Sequence, residues 1–282
     1  MIFGSDLFAV FSGLASAACW GAGDFSGGVA TKHSNVYTVV IVSQFVGVIF
    51  LIAVALLILE PFSAPADMLL GAAAGISGVI GLVALYRGLA VGRMGIVAPV
   101  AAVVTAVVPV VFGFFREGLP APQQLAGFVI ALCAVWFISR SGNNERPQVV
   151  ELGLPLVAGL GFGLFFILID RMSTGAVVWP LVAARLASIG LLLLFVSLRR
   201  QREVLTIRRL PVIALAGILD AGGNAFFTLA AQAGRLDIAA VLASLYPAAT
   251  ICLAWFILRE KLVPQQWGGV AAALFAVVLI AS

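Results

Sequence analysis

Charge is scarce in this chain: 10% of its 282 residues are Asp, Glu, Lys or Arg, against about a quarter in an ordinary globular domain. With 63% hydrophobic residues and a mean hydropathy of +1.18, the apolar side chains are too many for one water-soluble core, which excludes a soluble globular fold. Histidine is nearly absent. His33 is the single one, so a histidine-rich metal site is excluded and a Ser-His-Asp triad would rest on one loop residue. The three cysteines, Cys19, Cys133 and Cys252, lie in separate apolar runs, too far apart for a ligand cluster, and read as small buried hydrophobes. P-loop, zincin and nucleophile-elbow patterns are missing. Neither direct ATP use nor enzymatic chemistry is therefore expected, and no cofactor or metal. The net charge of +4 comes from arginines placed between apolar runs, so it reports orientation rather than nucleic-acid binding.

What the chain does have is long apolar runs. A helix needs roughly 20 apolar residues to cross a hydrocarbon core, whereas a membrane barrel would alternate apolar and polar residues. The expected spans are Leu7–Val29, Tyr37–Leu59, Met68–Ala90, Ile96–Phe115, Pro122–Ser139, Gly153–Ile169, Pro180–Leu198, Leu210–Gln232, Ile238–Leu258 and Pro264–Ala281. They fall into two copies. Residues 122–138 and 264–280 share nine identical positions without a gap, at an offset of 142 that also relates Gly75 to Gly217 and Gly92-Arg93 to Gly234-Arg235. Five spans per copy is an odd number, so the second copy enters the membrane in the opposite direction. The fold expected is an all-α integral membrane protein of ten transmembrane helices in two inverted five-helix repeats, residues 1–140 and 151–282, joined by a polar loop at 141–150.

The odd-numbered connections carry eleven Lys or Arg and the even ones three, Arg116, Arg171 and Arg235. The positive-inside rule then puts the odd connections in the cytoplasm and both termini outside, in a multi-pass protein of a bacterial-type inner membrane. Fused repeats in a bilayer commonly hold a working site between the halves.

Polar residues inside such spans are costly and mark candidates for that site. Asp24 follows Trp20 by one helical turn, on a face shared with Gly27 and Gly28. Asp220 lies near the centre of the eighth span with Asn224 one turn on, and Gly222-Gly223 between them permits close helix approach or local unwinding. Arg185 and Arg87 are the cations available to pair with these acids, and Arg87 is close enough to a span end to reach the interface instead. Phe162, Phe165 and Phe166 make an i, i+3, i+4 stripe that reads first as packing. Tyr246-Pro247 interrupts the ninth span, and Pro99, Pro109 and Pro247 are expected to kink their helices. Glycine pairs four apart at Gly23/Gly27, Gly71/Gly75 and Gly159/Gly163 read as packing surfaces.

The chain resembles the EamA family of the drug/metabolite transporter superfamily. The resemblance rests on Trp20-Gly21, on Arg185 in the seventh span, and on paired motifs. These are Arg116-Glu117-x-Leu119-x-x-Pro122-Gln123-Gln124-x-x-Gly127 and Arg259-Glu260-x-Leu262-x-Pro264-Gln265-Gln266-x-x-Gly269. It implies a ten-helix bundle with a central cavity lined mainly by spans one, three, four, six, eight and nine, in which Phe162, Phe166 and Tyr246 take part. It also implies alternating access. Two departures from the family pattern stand out: Gln44 occupies the second span where an arginine is usual, and many members have both termini in the cytoplasm. The function implied is secondary export of small metabolites or drug-like compounds, amino acids among them, driven by protons or by the substrate gradient. The partners are a small-molecule substrate, H+ and the bilayer, with a homo-oligomer allowed and a monomer sufficient. Uptake of a neutral solute such as a sugar, and lipid flipping, are the alternatives.

Overall fold

A computed structural model describes residues 2–117, 122–139, 149–173, 175, 177–199, 207–233, 242–243, 245–259 and 264–280. Among these are ten α-helices: α1 Ile2–Thr31, α2 Val36–Leu57, α3 Pro65–Val91, α4 Met94–Glu117, α5 Pro122–Ser139, α6 Val149–Ile169, α7 Val178–Arg199, α8 Leu210–Ala233, α9 Tyr246–Leu258 and α10 Pro264–Ile280. Five stretches are long and apolar enough to cross a membrane, Val36–Leu57, Pro65–Val91, Leu152–Ile169, Val178–Leu198 and Leu210–Ala233. Met94–Pro109, Tyr246–Leu258 and Trp267–Ala276 are shorter apolar helical stretches. Their outward residues are apolar, Ile49, Leu57, Leu194 and Phe256 among them, as a lipid-facing surface requires and a water-facing one does not.

Local sequence accounts for the helix ends. Pro65, Pro122 and Pro264 stand at the first helical position, where a missing N-H is harmless and the fixed φ is already helical. Asn35 caps α2, its side chain accepting from the Tyr37 N-H at 2.9 Å. Pro99 and Pro109 lie within α4, which continues past both. Pro247 falls in the first turn of the described part of α9, so there it begins a helix instead of kinking one. The expected start of the ninth span at Ile238, the loop at 141–148, Leu119 and Leu262 of the paired motifs, and Arg235 lie outside the described residues.

The pairing of helices survives exchange of the two halves. Helix α1 packs on α8 as α3 packs on α6, and α2 on α8 as α3 on α7; α2 meets α7 and α5 meets α10, each its own counterpart. Gly75 and Gly217, related by the 142-residue offset, do equivalent work: a Cβ at Gly75 would collide with the Ala184 carbonyl, and one at Gly217 with the Ser43 carbonyl. Side-chain-free positions thus let each third helix approach the second helix of the other half at backbone distance. Ser188 Oγ donates to the Gly75 carbonyl at 2.8 Å across the same seam.

One end of the bundle is tied across the halves by polar groups. The Glu60 carboxylate, in the connection after α2, accepts from the N-H groups of Val177, Val178 and Trp179 at 3.2, 2.9 and 3.4 Å. It thereby caps the positive N-terminus of α7. Trp179 Nε1 returns a bond to the Glu60 carbonyl at 3.0 Å and stacks on Phe62. Buried Asp67 accepts from the Ser173 N-H at 2.9 Å, and Gln232 accepts from the Gly175 N-H at 3.0 Å. Cys133 and Cys252 are exposed on the outer surface and Cys19 is half-buried, which corrects the expectation of three buried thiols. Their helices turn those faces outward, where a thiol is apolar enough for lipid.

Candidate functional site

The helices surround a partly open cavity of about 70 Å³. Eight helices line it. Trp20 and Asp24 come from α1, Gln44 from α2, Gly75, Gly78, Val79 and Leu82 from α3, and Thr105 from α4. Phe162, Phe165 and Phe166 of α6, Leu181, Ala184, Arg185 and Ser188 of α7, Asp220 and Asn224 of α8, and Tyr246 of α9 complete it. Helices α2 and α7 thus join the six that the resemblance implied.

The charged group at its wall is a built cluster. Arg185 is 4% exposed. Its Nη1 forms a salt bridge with Asp220 and donates to Gln44 Oε1 at 2.8 Å. An arginine cannot shed its proton to relieve burial, so pairing at this depth is close to obligatory. Gln44 of α2 thus gives the guanidinium a second acceptor from the other half. Sequence reasoning noted Gln44 without assigning it to the site; a lone amide in an apolar run was the available signal.

Asp24 is 6% exposed, and no described residue donates a hydrogen bond or ion pair to its carboxylate. It stands close to the pair, since a Cβ on the adjacent Gly23 would lie 3.3 Å from the Asp220 N. Gly27, one turn on, is filled by the ring of Tyr86, whose hydroxyl is buried without a partner.

Aromatic rings form the floor beside it. Trp20 stacks on Phe166 with centroids 5.7 Å apart, packs against Phe227 at 5.6 Å, and meets Tyr246 edge-on at 6.5 Å. Phe166 and Phe227 stack at 4.5 Å. Trp20 reaches this place because Gly223 has no side chain: a Cβ there would run into the indole. Helix α8 stays helical through Gly222-Gly223, and Ser16 Oγ bonds the Gly223 carbonyl at 2.8 Å. The glycines serve close approach, not unwinding.

The remaining polar linings are spent on the backbone. Thr105 Oγ1 donates to the Ala101 carbonyl at 2.8 Å, and Ser188 Oγ to those of Gly75 and Ala184, both at 2.8 Å. Asn224 is buried with its side chain toward the cavity. Of the candidates read from sequence, Trp20, Asp24, Phe162, Phe166, Asp220, Asn224, Tyr246 and Arg185 come together here, while Arg87 is exposed on α3 and lines no part of it. Gln232 belongs to the polar tie at the end of the bundle, not to its middle.

Comparison with known proteins agrees with this architecture. Residues 7–140 and 151–282 each match the family model described as the EamA-like transporter family. Among solved structures, a crystal structure titled only as that of a protein superimposes with a TM-score of 0.67 at 15% identity, covering 96% of this chain and 95% of its own. At that identity the likeness speaks for the fold alone. No curated protein matches the chain.

Proposed function

We infer, because the chain belongs to the EamA-like transporter family, that this multi-pass membrane transporter of the drug/metabolite type is a secondary exporter of small metabolites or drug-like compounds. The observation that carries this reading is the cavity lined by helices of both repeats, with a buried carboxylate in its wall that no described residue pairs. Such a group deep in a bundle is expensive unless it is used. Asp220 is already neutralised by Arg185, so proton coupling, where it operates, falls to Asp24.

The conformation supports alternating access with one gate shut. The connections at 58–64 and 170–177 belong to the sparsely basic set, so the charge rule places them outside the cytoplasm. The bonds that Glu60 accepts from the start of α7 and Asp67 accepts from Ser173 tie that face together across the repeats. Opening it requires these bonds to break together, as a rocking of one half against the other would do. Uptake of a sugar is less well supported: Thr105, Ser188 and Gln44 already have partners, which leaves few free donors and acceptors for a polyol.

Proteoliposomes loaded in turn with amino acids, organic cations and sugars test the reading. At least one compound is expected to leave saturably and faster when the opposite side is acidic, and Asp24→Asn is expected to abolish the response to the gradient. Flux of no compound refutes transport, and an intact gradient response in both Asp24→Asn and Asp220→Asn refutes the proton role.

A further inference from the structure

We propose that the cavity selects a monovalent organic cation with a flat apolar body, its charge received by Asp24 and its body by Trp20, Phe166 and Tyr246. The proposal rests on the transporter reading of this cavity and names the class of its substrate. The first argument is a charge count. Two carboxyls, Asp24 and Asp220, and one guanidinium, Arg185, line the cavity. Arg185 and Asp220 cancel in their salt bridge, so Asp24 is left as the carboxyl that no described residue pairs. Its ionised form is unfavourable without a partner at this depth, and a ligand cation is the partner that would hold it ionised. Tyr86 and Tyr246 are the other titratable groups that face Asp24, and neither carries a positive charge.

The second argument is the shape of the surroundings. Trp20, Phe166 and Tyr246 present ring faces and edges within one cluster beside the carboxylate, and ring faces attract cations through their quadrupole. Across the cavity, Val79, Leu82, Phe162 and Phe165 offer only apolar surface. An anion would meet Asp24 with no free cation to balance it. A zwitterion would need a cation for its carboxylate, and the Arg185 guanidinium is already held by Asp220 and Gln44.

The test compares two compounds of one shape: (3-hydroxyphenyl)trimethylammonium, and 3-tert-butylphenol, which replaces the charged nitrogen with carbon. Phenylalanine serves as the zwitterion. Binding to the purified protein in detergent is measured by calorimetry. The ammonium is expected to bind at least tenfold more tightly than the phenol in the wild type and in Asp24→Glu. In Asp24→Asn the two are expected to converge to within threefold, and circular dichroism with a monodisperse elution profile reports that the variant is folded. Equal affinities in the wild type, an undiminished preference in Asp24→Asn, tighter binding of phenylalanine, or binding of neither compound overturns the proposal. Flux in proteoliposomes separates it from the reading beneath it. Tight ammonium binding without flux sinks the transporter and leaves the cation site, whereas saturable flux with no charge preference does the reverse.

Discussion

Breaking the Arg185–Asp220 pair from either end should cost more than removing it whole. Arg185→Met leaves the Asp220 side chain, 15% exposed, in the wall without its cation, and removing one partner of a buried pair costs about 3–5 kcal/mol. Asp220→Asn strands a guanidinium that stays charged, with Gln44 as its remaining described acceptor, so a loss in the same range is expected. The double variant, which strands no charge, should be more stable than the sum of the singles implies, with a coupling well above 1 kcal/mol. Denaturation in mixed micelles, followed by tryptophan fluorescence, measures all three. Additive singles, or a loss of less than about 1 kcal/mol in either one, would show that the pair does not hold α7 to α8.

The symmetry of the packing predicts that Gly75→Val and Gly217→Val lower stability by similar amounts, about 1–3 kcal/mol each, by forcing apart seams that meet at backbone carbonyls. Gly190→Ala, with open space around its Cβ, should stay within about 0.5 kcal/mol of wild type; thermal unfolding in detergent compares the three, and equal losses would sink the argument. Glu60→Gln keeps the shape of the α7 cap and removes its charge, which is worth about 0.3–1 kcal/mol at a helix N-terminus. If that cap holds the gate, a thiol-reactive probe at an engineered cysteine lining the cavity should label faster from the outer face in Glu60→Gln. Unchanged labelling would reduce the cap to a local stabiliser.

The helices were legible because lipid imposes a single rule, an apolar run of sufficient length, and the chain obeys it in each repeat. The individual polar residues were also legible, since Asp24, Arg185 and Asp220 have no cheap place in such runs. Their partnerships were not. Spacing along α8 puts Asn224 on the face of Asp220, yet says nothing of which helix stands opposite. That Arg185 meets Asp220 while Arg87 points outward depends on the rotation of α7 and α3 about their own axes. The tie through Glu60 was invisible for a different reason: a charge in a connection reads as solvated, and only the fold brings it to the free N-H groups of a helix more than a hundred residues away.

The repeat itself explains where the polarity sits. Trp20 and Phe162, Asp24 and Phe166, Gly78 and Asp220, and Leu82 and Asn224 are each 142 residues apart, and all eight residues line the cavity. The cavity therefore lies where equivalent faces of the two halves meet. A symmetric sequence would have lined it with two equal half-sites, and two copies of Asp24 would repel across a space of this size. In three of these pairs one member is polar and the other apolar. The carboxylates and the amide all fall on α1 and α8, which pack together, and the apolar partners on α3 and α6, which do likewise. Divergence between the copies has thus divided one symmetric hollow into a charged wall and an apolar wall. A molecule complementary to both must be amphiphilic, and restoring the lost symmetry offers a direct check. Phe166→Asp would place a second carboxylate opposite the first and should weaken binding of a monovalent cation with an apolar body, even though it adds negative charge, because the body would lose the ring stacked on Trp20. Tighter binding of that cation in Phe166→Asp would mean that charge alone, and not the division of the walls, governs the site.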